Sequence, residues 1–133
     1  MAAGNYFDTG GNSQGLIETL AAGTWTAAQA PLPANTGTGF PDAVLRSVTC
    51  PAAGSCMVTG ADLNTTGNTQ GLFDTLPGGR WTSAQAPGPA DDGTSGASLY
   101  SVTCPVAGSC TAVGNYGATD GSLQGLAETL NPP

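Results

Sequence analysis

Histidine and lysine are both absent from the 133 residues, and Arg46 and Arg80 are the sole cationic side chains. Without His, no Ser-His or Cys-His pair can raise a nucleophile. Without Lys, no Schiff base can form. Two arginines cannot neutralise the row of phosphates that nucleic-acid binding requires, nor hold an anionic membrane surface, and the net charge is −7. No apolar run approaches the roughly 18 residues that cross a bilayer as a helix. The 9 carboxylates include no pair in a recognisable glycosidase-like cleft motif. The expectation is a non-enzymatic protein with no nucleic-acid partner and no membrane insertion.

What is present is turn-forming and repetitive. The chain holds 21 Gly and 10 Pro, yet Leu, Val, Phe and Trp recur at fixed places. "QGLIETLAAGTWTAAQAP" (Gln14–Pro31) returns as "QGLFDTLPGGRWTSAQAP" (Gln70–Pro87) and, shortened, as "QGLAETLNPP" (Gln124–Pro133). "SVTCPAAGSCMVTG" (Ser47–Gly60) returns as "SVTCPVAGSCTAVG" (Ser101–Gly114). Offsets of 56 and 54 residues exceed a β-helix coil and suit a four-stranded propeller blade. β-branched residues abound and no 3.6-residue apolar stripe persists, so the fold class is all-β. The central unit reads as strands A (Leu45–Thr49), B (Cys56–Ala61), C (Gln70–Leu76) and D (Arg80–Ala86), joined by turns rich in Gly and Pro.

The phase of the repeat divides the chain into a partial blade over 1–31 (B-C-D), a complete blade over 45–87 (A-B-C-D) and a partial blade over 98–133 (A-B-C). Incomplete terminal blades leave apolar faces and strand edges without neighbours. The partner expected is therefore another copy, in a ring or a filament. Contact is expected through Leu16, Ile17 and Leu20 on one side and Leu126, Ala127 and Leu130 on the other.

The cysteines occupy equivalent positions in two units, each pair spaced C-x5-C. One reading is a disulfide per repeat, Cys50–Cys56 and Cys104–Cys110, which places the protein in an oxidising, extracellular or cell-surface setting. The other is a zinc site built from all four thiolates, at a spacing longer than zinc frameworks favour. Trp25 and Trp81 open strand D and are expected between blades, with a ligand platform as the alternative. Glu18, Asp74 and Glu128 share one strand-C position, flanked by leucines. There each should be buried and hydrogen-bonded to a turn amide, a Thr hydroxyl or a Trp indole, or else serve a ligand.

The B–C and D–A loops emerge at one end of such blades. That face carries Phe7, Asp8, Phe40, Asp42, Asp91, Asp92 and Asp120, a candidate surface for a glycan or protein ligand and the basis of an alternative, lectin-like reading. "DLNTTG" spaces Asp62, Asn64 and Thr66 like the start of a calcium loop, without its distant Glu. No cofactor is expected, with calcium as the alternative.

With these phrases placed, the unit resembles a blade of the Asp-box (BNR-like) β-propellers, the sialidase-like and photosystem-assembly-factor-like families, in a cysteine-containing bacterial secreted version. Leu99-Tyr100-Ser101-Val102, Ala112-Val113-Gly114, Gly125-Leu126 and Gly23-Thr24-Trp25 carry the likeness, and Gly79-Arg80-Trp81 matches it less closely. The Asp-box aspartate is missing, since Leu20-Ala21 and Leu76-Pro77 stand near its place. The sialidase arginine triad has no counterpart either. The resemblance implies a scaffold, and a scaffold does not specify an activity.

Overall fold

The computed structural model describes residues 1–77 and 79–130. Among them are ten strands and no helix: β1 (Ala2–Phe7), β2 (Ser13–Ala21), β3 (Thr24–Gln29), β4 (Val44–Ala52), β5 (Ser55–Leu63), β6 (Thr69–Pro77), β7 (Thr82–Gln85), β8 (Asp92–Val106), β9 (Ser109–Ala118) and β10 (Leu123–Leu130). They form three antiparallel sheets in the orders β1-β2-β3, β4-β5-β6-β7 and β8-β9-β10. No closed barrel or ring forms among the described residues. The segment Asp92–Ala97, which reads as loop in "DDGTSG", is already strand. Asp92 pairs with Ala118, and a register shift then leads to Ala97 opposite Tyr116.

Consecutive sheets pack face to face, and strand alternation decides what each face holds. Ile17, Leu45, Val58 and Leu72 form one buried cluster between the first and second sheets. Met57, Leu99, Val102, Ala112, Tyr116 and Leu126 form another between the second and third, with Phe73 against it. The second sheet therefore points Val58 and Leu72 toward the first, and Met57 and Phe73 toward the third. Arg46 lies over the ring of Tyr100 at 4.8 Å, a cation–π contact joining β4 and β8.

Cys50–Cys56 and Cys104–Cys110 are disulfides, each closing the hairpin between the first two strands of its sheet. Both pairs are oxidised, so no thiolate remains for the zinc reading, and the bonds fit an oxidising, extracellular setting.

Candidate functional site

The terminal sheets each present one face that no other described part of the chain covers. On β2 the odd residue Ile17 points inward, so Leu16, Glu18 and Leu20 point outward. Trp25 stands opposite Leu20 in the β2–β3 register and joins them. Leu20 is 49% and Trp25 52% exposed. On the third sheet Leu126 points inward, so Ala127 points outward, directly opposite Val113 in the β9–β10 register. Val113 is 48% exposed, and Leu123, on the same face, is also exposed.

The expected assembly residues are thus divided by the structure. Leu16, Leu20 and Ala127 lie on uncovered faces. Ile17 and Leu126 do not: each is buried in an intramolecular cluster and is unavailable to a second molecule. Leu130 is exposed but lines the groove between the second and third sheets. Val113 and Leu123 share that face without having been expected there: Val113 lies directly opposite Ala127, and Leu123 lies two strand-periods before it on β10.

The tryptophans also part company. Trp81 is half-buried and packs on the cluster holding Ile17, whereas Trp25 lies on the outer face of the first sheet, against no other sheet among the described residues. Trp81→Ala is expected to cost about 2 kcal/mol, below the ~3–5 kcal/mol of a fully buried aromatic. Trp25→Ala should stay within about 0.5 kcal/mol, as exposed positions do. Urea denaturation of the two variants at equal concentration checks the ordering.

At the loop end, the acids are engaged in local structure. Asp8 accepts hydrogen bonds from Gln14 Nε2 and the Asn12 and Gly10 amides, all at 2.9 Å, which hold its carboxyl below the usual range, Gln14 most of all. Asp120 accepts from the Ser122 hydroxyl and amide, which lower it in the same way. Asp91 accepts from the Tyr116 hydroxyl at 2.9 Å, and that bond raises the phenol. Asp92 belongs to β8, Asp42 is exposed at a positive φ of 43°, and Phe7 and Phe40 are exposed.

The calcium reading does not survive. Asp62 is a buried residue of β5, not a loop ligand. Its Oδ2 accepts from Thr36 Oγ1 and from Gln70 Nε2. Asn64 Oδ1 accepts from the Thr66 amide and hydroxyl and the Asn68 amide, closing a local turn. Among the described residues no group of three or more His, Cys, Asp or Glu is placed to hold a metal. What this corner does is fasten the connection between β3 and β4. Asn35 donates to Gln70 Oε1 and Gln85 Oε1 at 2.9 and 2.8 Å, and Gln70 returns a bond to Asn35 Oδ1 at 3.0 Å.

The three strand-C acids diverge as well. Glu18 is half-exposed on the outer face of the first sheet. Burial raises Glu128, which sits at the groove edge. Asp74 is fully buried with neither oxygen hydrogen-bonded, contrary to the expected satisfied carboxylate. Comparison with protein-family models, curated proteins and solved structures found no match to this chain.

Proposed function

We propose that this chain is a secreted, non-enzymatic structural repeat protein of propeller-like blades that assembles head to tail. The outer face of its first sheet would pack on the outer face of the third sheet of the next molecule. The observation that carries this reading is a difference in burial at equivalent repeat positions. Leu72 is fully buried where its counterpart Leu16 is not, and Trp81 is half-buried where Trp25 is exposed. On the opposite face, Thr59 is fully buried where its counterpart Val113 is 48% exposed. Each internal junction joins a face of the Leu72 type to a face of the Phe73 type, and one of each remains uncovered at the two ends. A repeat unit buries its faces against copies of itself, so these two faces are complementary by the same chemistry that joins the sheets internally. The two faces differ, which makes the contact heterologous, and the rotation per step decides between a ring and a filament. Few charges take part, so assembly should tolerate salt.

Sedimentation velocity at micromolar concentration tests this. The parent should sediment well above its 13.0 kDa chain mass. Leu20→Glu and Val113→Glu should each be monomeric. An equimolar mixture of the two should give a dimer and nothing larger, because each variant keeps one intact face. A monomeric parent, or variants that fail to pair when mixed, would overturn the proposal.

A further inference from the structure

The third sheet ends at β10, whose outer edge pairs with no other strand among the described residues. In the first and second sheets the equivalent strands, β2 and β6, are followed on that side by β3 and β7. Beside the free edge lies a cavity of about 340 Å³ lined by Phe73, Thr75, Thr82 and Ala84 of the second sheet and by Glu128 and Leu130 of the third. Those four second-sheet residues are the repeat counterparts of Ile17, Thr19, Thr26 and Ala28. Their counterpart face on the first sheet includes Ile17, whose cluster Trp81 packs against. By repeat, the cavity lies against the face that corresponds to the one whose cluster Trp81 packs on between the first and second sheets. A void of roughly 150 Å³ holds benzene, so an indole fits.

We propose that this edge and cavity form a docking site for an extended segment of another polypeptide with the chemistry of Trp81 and the β7 residues that follow it: a tryptophan followed by small and hydroxylated residues ending in glutamine. Such a segment adds antiparallel to β10. Main-chain hydrogen bonds supply affinity and the cavity selects the side chain, as in other strand additions. The register follows from the two strand pairs already present. Leu20 faces Trp25, Leu72 faces Gln85 and Asp74 faces Ser83. Accordingly Leu130 faces the incoming tryptophan, Glu128 a small residue and Leu126 the glutamine. The edge groups need a partner of this kind because an unpaired, partly apolar strand edge is a template for pairing. This site is separate from the outer sheet faces.

The test titrates a fluorescently labelled peptide GRWTSAQAP, the sequence of Gly79–Pro87, with the full chain in the Leu20→Glu background, reading anisotropy. Saturable binding in the micromolar range is expected. A peptide with its tryptophan replaced by alanine should bind at least tenfold more weakly. Ala84→Trp, which fills the cavity from an exposed position, and Leu130→Glu, which places a charge in it, should each weaken binding of the parent peptide at least tenfold while leaving the melting temperature close to that of the parent. Absence of saturable binding, equal affinity for the alanine peptide, or indifference to both variants would overturn the proposal. So would a sedimenting mass that falls when peptide is added, since a second copy of the chain would then be the occupant.

Discussion

Replacing Gly60 or Gly114 by alanine should unfold most of the protein at temperatures the parent withstands, while the same change at Gly4 should leave the melting temperature almost unmoved. The three glycines hold one repeat position. A Cβ on Gly60 would collide with the Val44 carbonyl oxygen and lie 2.9 Å from Leu45 Cα. On Gly114 it would collide with the Ser98 carbonyl oxygen and lie 2.9 Å from Leu99 Cα. Both obstacles are backbone, so no rotamer change relieves them. They arise because β4 and β8 each bulge just there, between Leu45 and Ser47 and between Leu99 and Ser101, and a bulge bends its strand toward the partner. Around Gly4 nothing lies within 4 Å, because β1 is an edge strand of the first sheet among the described residues. Overpacking against immovable neighbours should cost at least about 3 kcal/mol at either of the first two sites, a large share of the roughly 5–15 kcal/mol that holds a domain. Gly4→Ala should change stability by no more than about 0.5 kcal/mol. Thermal melts of the three variants decide it: equal losses at all three positions would mean that the bulged strand is not what the glycine accommodates.

The same contrast explains what the sequence could and could not tell. Strand positions were legible because turns and β-branched runs alternate on a fixed period. β4, β5 and β6 cover the stretches expected for strands A, B and C, and β7 lies within the stretch expected for D. The disulfides were legible from cysteines at matched repeat positions. The facing of the leucines was not. "GLIETL" is apolar on both sides of a strand, so its pattern alone does not say whether Leu16 or Ile17 turns inward. Only the neighbouring sheet decides, and the neighbour differs at each end. Trp25 and Trp81 sit in almost identical phrases for the same reason, yet one is exposed and the other packed. Asp62 looked like a loop residue because Asn64, Thr66 and Gly67 follow it, but β5 runs on to Leu63 and carries Asp62 into the interior. Its partner Thr36 lies 26 residues away, a separation no local pattern reveals.

Stability should fall as pH rises from about 4 to 7, and Asp74 should be the main cause. Its side chain is fully buried on the face of β6 that meets the first sheet, between Val58 and Ser83 in the strand register. Neither carboxyl oxygen has a hydrogen-bond partner of good geometry. Loss of hydration pushes its pKa up to about 7; the neighbouring Ser83 hydroxyl eases this and the charge of Asp62 adds to it. An unfolded chain releases the same proton near pH 3.9. Between those values the folded protein holds a proton that the unfolded chain has lost, so stability declines as pH climbs and levels off once the folded group has also ionised. Each tenfold difference in proton affinity is worth about 1.4 kcal/mol, so the whole decline is on the order of a few kcal/mol. Burial raises Asp62 and Glu128 in the same direction, whereas the lowered carboxyls of Asp8 and Asp120 act only in acid, where protonating them removes stability. Asp74→Asn keeps the shape and cannot ionise. It should match the parent near pH 4, exceed it at pH 7–8, and show a flatter profile between. Urea midpoints at pH 4, 5, 6, 7 and 8 measure this directly. A parent whose stability holds or rises across that range, or an Asp74→Asn profile parallel to the parent's, would show that the buried carboxyl ionises without penalty and that a water or a moved side chain satisfies it.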